Sequence, residues 1–203
     1  TGDQATAMLV TDLNNTLDLT LAGLFFFEPA KGYDWAWSEA YFNGVRWRGK
    51  KIPELPLVQP EKVSELPLSL TFNDAYRYEL RDEDTIDGTR CYVLGFSPKV
   101  TASDRPLYDG RVYVSKSDFA LIRTVTRQLN LVGEVQSVDE TSDFGLVPAT
   151  DGGEPLRFPT RARSQWILRT FSRTTVIERE TVLSEVRLDP TDYDALKAKA
   201  LGL

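Results

Sequence analysis

The chain has 203 residues, 41% of them apolar and 27% charged, and this balance is typical of a folded globular protein rather than of a disordered chain. Its net charge of −6 gives it no overall attraction to nucleic acid or to an anionic membrane surface, which leaves only a local basic patch for such contacts. There is no histidine, so the commonest general base and metal ligand are missing. The single cysteine, Cys91, excludes an intramolecular disulfide, and its apolar neighbours indicate a small buried side chain.

No apolar run reaches the ~18 residues that a membrane-spanning helix needs. The longest run, Leu24–Phe27, has the length of a strand. No secretory signal peptide is present, and the chain begins at Thr1 rather than at Met, so we expect a mature or trimmed chain whose export is open.

The N-terminal quarter predicts a short irregular segment followed by two strand regions. Residues 1–15 are weakly patterned and leave a short helix open. Alternation from Leu17 to Phe27 predicts a strand that Pro29 ends. A second strand region spans residues 34–47, with a hairpin signal at Asn43-Gly44.

Four prolines between positions 53 and 67 exclude a helix there and predict an extended connection. Its leucines and valine favour a crossover packed within a single domain of residues 1–203, and a free linker between two domains is the alternative.

Strand signals follow in quick succession from Ser69 to Asp189, separated by short turns. The tail differs, because Thr191 to Gly202 has helical spacing, with Thr191 as the expected N-cap and Gly202 as the expected C-cap. The sequence therefore predicts a mainly β fold, in which one antiparallel sheet dominates and helix is confined to the tail and, as an open alternative, to residues 1–15.

The hairpin around Asp87-Gly88 allows a prediction of strand register. A two-residue loop would place Leu80 opposite Gly95, whereas a three-residue loop, Ile86-Asp87-Gly88, places apolar residues opposite each other. We therefore predict the three-residue loop, and one buried face that carries the pairs Tyr78–Phe96 and Leu80–Leu94.

The clusters of charged residues in the sequence are best explained without a catalytic or metal site. The acidic run Asp82, Asp84 and Asp87 matches no complete calcium loop and predicts a solvated hairpin end, as does the run 139–143. Glu178 and Glu180 share a strand face with arginines nearby, which favours cross-strand ion pairs over a glycosidase pair. Four arginines share one strand face, which predicts a solvated outer face, with a lipid headgroup contact as the alternative: Arg161, Arg163, Arg169 and Arg173.

No phosphate loop, nucleophile elbow or metal-binding spacing occurs in the sequence. The four tryptophans are more typical of a core than of a stacking platform. We therefore predict that the protein is not an enzyme, uses no cofactor and has no metal site or catalytic residue. A hydrolase that works through carboxylates is the least favoured alternative.

Four segments carry a resemblance to a known family: residues 89–99, after the Asp-Gly turn, residues 110–116, residues 119–123, and residues 158–160, which precede a long hairpin. Together they resemble the LolA/LolB-like superfamily of periplasmic lipoprotein carriers. The first segment looks like the central strand of that family, and the next two resemble the strands that follow it. The resemblance covers roughly residues 70–190 and implies a strongly curved, unclosed half-barrel with helices over its concave face. A long N-terminal helix and a lid helix, which the carriers have, are not evident here.

The resemblance implies that the protein binds a lipid, an acylated protein or another hydrophobic partner in the concave face, within the periplasm or cell envelope of a bacterium. Other envelope proteins are expected as further partners, and nucleic acid is not. The expected ligand-binding residues follow from the hairpin register and its neighbouring strands: Tyr78, Leu80, Leu94, Phe96, Val112, Val114, Trp166 and Leu168. Tyr113 is the alternative to the two valines. The alternative function is a structural or protein-interaction domain of a larger exported protein, without a lipid ligand.

Overall fold

The structure, a computed structural model, describes residues 1–28, 32–49, 75–100, 106–149, 153–188 and 190–202. All strands in these ranges belong to one antiparallel sheet with the order β4-β3-β2-β1-β11-β10-β9-β8-β7-β6-β5. The strands and the single helix of the described residues are β1 (Gly2–Thr11), β2 (Thr16–Glu28), β3 (Gly32–Phe42), β4 (Val45–Arg46), β5 (Tyr76–Ile86), β6 (Thr89–Pro98), β7 (Tyr108–Ser115), β8 (Leu121–Gln128), β9 (Val135–Val147), β10 (Leu156–Arg169), β11 (Thr174–Ser184) and α1 (Tyr193–Leu201).

The predicted fold class is confirmed: the sheet is antiparallel and unclosed, and α1 follows it. The open alternative of a helix in residues 1–15 is wrong, because β1 occupies Gly2–Thr11. Sequence patterning missed this strand because its buried positions include the polar Gln4 and Thr6, which hide the alternation. Their side chains hydrogen-bond to each other, and Thr6 also bonds the hydroxyl of Thr181 on β11, so they are buried with partners.

The strand register sorts the side chains into two faces. We define the inner face as the face of the sheet that carries Met8 and the residues that lie in register with Met8 on the other strands. It includes most of the buried side chains of the described residues: Gln4, Thr6, Met8, Leu19, Leu21, Phe25, Ala40, Phe96, Val112, Thr124, Val138, Ser142, Ser164 and Ile177. The outer face carries a smaller apolar cluster on β5–β8: Ile86, Cys91, Val93, Tyr113 and Ile122.

The sheet is strongly curved between β2 and β10. Phe25 lies on β2 and Phe158 on β10, and these strands are separated by β1 and β11. In a flat sheet three strand spacings would separate the two rings by about 14 Å. Their centroids are 6.3 Å apart and the rings are stacked. This contact requires the half-barrel curvature.

In the β5–β6 hairpin the predicted strand pairing is correct, although the predicted loop is wrong. The predicted three-residue loop is wrong, because Ile86 pairs with Thr89 across a two-residue loop in which Asp87 and Gly88 have positive φ. A β-bulge at Arg81 then shifts the register by one residue. The predicted pairs Tyr78–Phe96 and Leu80–Leu94 are therefore confirmed.

The prediction that these four residues share one buried face is wrong at Leu80. Phe96 is 3% exposed, but Leu80 is 63% exposed. The physical reason is the position of β5 at the edge of the sheet, where only one neighbouring strand can cover it.

The acidic run 139–143 does not form a solvated hairpin end. It lies inside β9, with alternate residues on opposite faces. On the outer face, Asp143 bonds Arg123 and accepts a 3.1 Å hydrogen bond from Arg163. These partners on both neighbouring strands, β8 and β10, offset the low strand propensity of the acidic residues.

The tail helix is confirmed, but its predicted start is wrong. Its N-cap is Asp192 rather than Thr191, with no side-chain capping bond, so Thr191 lies one residue outside the helix. Gly202 ends the helix in the left-handed conformation, as expected. The predicted proline-rich crossover, residues 53–67, lies outside the described residues. Within the described ranges no helix is long and apolar enough to cross a membrane.

Candidate functional site

The main candidate site is a cavity of about 700 Å³ at the end of the sheet where β1 begins and β9 and β11 end. This volume is within the range of small-molecule sites. The cavity is open to solvent, since Leu146 in its wall is 60% exposed. Its apolar wall comes from three strands or their ends, β2, β9 and β11, and from α1: Leu24, Leu146, Val147, Leu183, Val186 and Leu196.

Sheet curvature brings these walls together. Leu24 lies on β2 and Leu146 on β9, which are four strands apart in the sheet order. A bulge at Thr160 in β10 bends the sheet between them, and Thr160 itself lines the cavity. Polar residues contribute the remaining wall, including Asp3, Glu185 and Arg187. The result is an apolar space with charged groups in its wall.

Helix α1 is held against the sheet beside this cavity by a charged cluster. Lys197 Nζ donates hydrogen bonds to Glu28 Oε1 at 2.9 Å and pairs with Asp34 Oδ2 at 2.8 Å. Burial alone would lower the pKa of Lys197, but its hydrogen bonds to Asp34 and Glu28 outweigh burial and raise the pKa above its ordinary value. Tyr193 packs edge-on against Phe26, with ring centroids 5.9 Å apart. These contacts fix the position of Leu196, the helix residue in the cavity wall.

The eight residues predicted to bind ligand all lie on the inner face. Register places Leu94 opposite Val112, and Tyr92 opposite Val114, so both valines share the face of the hairpin pairs. Tyr113, the alternative, points to the outer face and is buried there in the apolar cluster. Trp166 and Leu168 reach the same inner face through β9 and β11.

The structure does not bring these eight residues into one site. Tyr78, Leu80, Leu94, Phe96, Val112 and Val114 lie on β5–β7, whereas Trp166 and Leu168 lie on β10, with β8 and β9 between them. None of the eight lines the cavity. Their role in ligand binding stays a prediction, and the residues of the cavity wall were not identified from the sequence.

A polar row crosses the middle of the inner face. Glu140, Ser164 and Arg179 are directly paired across β9, β10 and β11. Burial raises the pKa of Glu140 and lowers that of Arg179, and each charge partly offsets the effect on the other. Ser142 donates a 3.2 Å hydrogen bond to Glu140.

The outer face of β10 carries ion pairs, as the sequence predicted for its arginines and acids. Arg161 pairs with Glu180 at 3.4 Å, and Arg163 with Asp143 at 3.1 Å. Arg173 lies 4.0 Å from Asp12 at the end of the β10–β11 hairpin. The predicted solvated outer face is therefore confirmed for Arg161 and Arg163, each of which forms an ion pair with an acidic residue.

Chemistry-bearing groups are few in the described part of the chain. Burial raises the pKa of the Cys91 thiol, so the thiol is protonated and shielded near neutral pH. No group of three or more acidic or cysteine side chains is arranged to hold a metal ion within the described ranges. The cavity and its apolar wall remain the strongest candidate for function.

Comparison with known proteins gives structural matches only. No family model and no curated protein matches the chain. Among solved structures, a Vibrio parahaemolyticus domain described as an outer membrane lipoprotein-sorting protein domain aligns with 98% of this chain and 92% of its own, at 13% identity and a TM-score of 0.31. A LolA superfamily protein from Nitrosomonas europaea aligns with 91% of this chain and 87% of its own, at 14% identity and a TM-score of 0.31.

A third match is a DUF1329 family protein from Desulfovibrio piger, which aligns over 95% of this chain and 89% of its own, at 15% identity and a TM-score of 0.33. The Nitrosomonas europaea protein is described by the name of the superfamily that the sequence resembles. Because the identities and TM-scores are this low, we draw nothing about function from these proteins.

Proposed function

We propose that this protein binds an acyl chain, presented by a lipid or by an acylated protein, in the apolar cavity at the α1 end of the half-barrel. The observation that carries the proposal is the cavity itself: about 700 Å³ that the side chains of the described residues leave unfilled, with six apolar residues in its wall. Because Leu146 in this wall is 60% exposed, an apolar ligand in the cavity would remove apolar surface from water.

An acyl chain fits the chemistry of the wall. Apolar groups without hydrogen-bond demands recognise a ligand by area and shape, at roughly 0.8 kcal/mol for each methylene that leaves water. Charged residues such as Asp3 and Arg187 line the same space and would suit a polar linkage at the end of the chain. The half-exposed residues predicted earlier, Leu94 and Val114 among them, would add apolar surface for a larger lipid.

The sequence resemblance supports placing this activity in the periplasm or cell envelope of a bacterium, in lipid or lipoprotein handling. The activity proposed is non-enzymatic and uses no cofactor. The protein-interaction alternative is decided by the same experiment, since it requires no lipid.

The test uses two matched leucines on neighbouring strands. Leu146 and Leu156 are 60% and 56% exposed, but only Leu146 lines the cavity. Leu146→Trp should fill part of the space and exclude about two methylenes of ligand, weakening binding about tenfold. The measurement is titration with the fluorescent fatty acid cis-parinaric acid, together with mass spectrometry of organic extracts from the purified protein.

Leu156→Trp is the control and should bind like the wild type. Absence of both co-purified lipid and fatty acid binding in the wild type would contradict the proposal and favour the protein-interaction alternative. Equal weakening by both tryptophans would show that the ligand lies elsewhere on the sheet.

A further inference from the structure

The end of the sheet opposite to α1 is built from the tips of adjacent hairpins. We call this end the loop rim and define it by the described residues 12–15, 43–49, 99–100, 129–134 and 170–173. In the sheet order, the β3–β4, β1–β2, β10–β11 and β8–β9 tips follow one another. Neighbouring tips are two strand spacings apart, or about 10 Å. The rim is therefore a continuous row of loops.

Exposed apolar side chains are concentrated on this rim. Leu13, Val132 and Phe171 lie at three successive tips, and they are 73%, 80% and 113% exposed relative to a free residue. Of the fourteen large apolar residues exposed in the described ranges, seven lie within the rim: Leu13, Val45, Trp47, Val100, Leu129, Val132 and Phe171. Single exposed apolar residues are common, but a row of them at the tips of adjacent loops indicates a contact surface.

The rim also differs in charge from the rest of the chain. Its described residues carry four basic side chains, Arg46, Arg48, Lys99 and Arg173, against the two acids Asp12 and Glu134, a net charge of +2. The whole chain has a net charge of −6. Arg46 and Arg173 are exposed, at 58% and 68% of their side-chain area, while Arg46 lies 2.8 Å from Glu39 and Arg173 lies 4.0 Å from Asp12. Apolar tips flanked by basic residues complement a surface that has anionic groups on its outside and an apolar layer beneath them.

Among the residues that the structure describes, those of the opposite end do not combine an apolar row with basic neighbours. Phe119 is 72% exposed at the β7–β8 turn, but its ring stacks on Tyr92, with centroids 6.5 Å apart. Lys116 lies over the same Tyr92 ring and pairs with Glu83. Leu146, which is also exposed at that end, belongs to the wall of the cavity. Leu156, which is 56% exposed at the start of β10, is a single exposed apolar residue there, so the described residues of that end form no row of apolar tips.

We propose that the loop rim docks on the surface of an anionic lipid bilayer, with Leu13, Val132 and Phe171 inserted below the headgroups and the rim arginines against lipid phosphates. Apolar insertion and basic contacts are together the recognised requirements for reversible binding at a membrane surface. A tryptophan such as Trp47 suits the headgroup level. Docking in this orientation leaves the cavity and α1 on the side away from the membrane.

The test is vesicle flotation of the full chain with two lipid compositions. We expect binding to vesicles of equal phosphatidylglycerol and phosphatidylcholine, and weaker binding to phosphatidylcholine alone. Phe171→Ser should reduce partitioning about tenfold, because one large apolar side chain no longer leaves water. Replacing Arg48 and Arg173 by Gln should remove most of the preference for phosphatidylglycerol and most of its salt dependence.

Phe119→Ser is the matched control, an exposed phenylalanine in a turn at the other end, and should bind vesicles like the wild type. Circular dichroism and urea unfolding establish that each variant is folded. Failure of the wild type to bind phosphatidylglycerol vesicles, or an equal loss in Phe119→Ser, would overturn the proposal. So would rim variants that abolish self-association on size-exclusion chromatography while vesicle binding persists, since the partner would then be a second copy. Fatty acid uptake is a separate readout, so either proposal can fail while the other stands.

Discussion

Replacing Lys197 by Met should loosen α1 and destabilise the protein by about 2–3 kcal/mol. Lys197 lies 2.9 Å from Glu28 and 2.8 Å from Asp34, and its side chain is 16% exposed while both acids are 26% exposed. Hydrogen bonds to charged groups contribute about 1.5–3 kcal/mol when shielded, and exposed ion pairs about 0.2–1 kcal/mol. Each of the two contacts lies between those limits, at about 1–1.5 kcal/mol, and their loss leaves two half-buried carboxylates without their shared cation.

The assay is urea unfolding followed by tryptophan fluorescence, with hydrogen exchange of the α1 amides to detect local release of the helix. The raised pKa of Lys197 means that its contribution is fully present below the unfolded value of 10.5 and is lost only as pH rises through the higher folded value. The effect of the substitution should therefore be the same at about pH 6 and about pH 9.

Lys199→Met is the control, since Lys199 is exposed on the same helix. A loss below about 0.5 kcal/mol for Lys197→Met, with unchanged exchange of the α1 amides, would refute the reasoning, because surface substitutions away from special contacts fall in that range. Since Leu196 is the helix residue in the cavity wall, release of α1 should also weaken fatty acid binding.

Two further substitutions test the packing of the sheet by urea unfolding. Gly23→Ala should lower the free energy of unfolding by about 2–4 kcal/mol, because a Cβ there would clash with two backbone atoms, the carbonyl oxygen of Ala36 and Trp37 Cα. Gly95→Ala should lower it less, because the atoms nearest to its Cβ would belong to the Arg81 side chain. A larger loss for Gly95→Ala than for Gly23→Ala would contradict this reasoning. Ser164→Ala should be neutral or stabilise the protein by up to about 1 kcal/mol, because the buried Ser164 Oγ has no hydrogen-bond partner among the described residues. Ser142→Ala should destabilise it by about 0.5–1.5 kcal/mol, because the Ser142 hydroxyl donates a hydrogen bond to Glu140. A clear loss of stability in Ser164→Ala would indicate a partner for its hydroxyl.

Predicting register from the apolar face succeeded where predicting the loop did not. Matching Tyr78 to Phe96 and Leu80 to Leu94 was correct, because opposing apolar residues dominate pairing. The loop was wrong because a bulge at Arg81 achieves the same match, and a bulge leaves no clear signal in one sequence. Gly95, opposite to the bulge region, gives the Arg81 side chain its room.

Polar residues inside strands were the main source of error in predicting the fold. Gln4 and Thr6 hid β1, and the acidic run 139–143 hid the centre of β9. In each case the partners lie on other strands, such as Thr181 for Thr6 and Arg123 for Asp143. Such partners are invisible until the sheet order is known.

The candidate site was predictable in its chemistry but not in its residues. The sequence indicated an apolar binding surface on a curved sheet, and eight residues share the expected face. The cavity wall instead joins residues as distant in sequence as Leu24 and Leu196, which come together only through the curvature of the sheet and the docking of α1. No local pattern marks such a wall.

The pairing of β1 with β11 has a consequence for how the chain folds. The hydroxyls of Thr6 and Thr181 lie 3.1 Å apart, although 175 positions separate them in sequence. Each of the two meanders, β1–β4 and β5–β11, is made of local hairpins that form early, whereas the junction between them has a high contact order and forms late. During synthesis β1 emerges before β11 and keeps an open hydrogen-bonding edge until β11 has been made, so the nascent chain is most prone to aggregation during that interval.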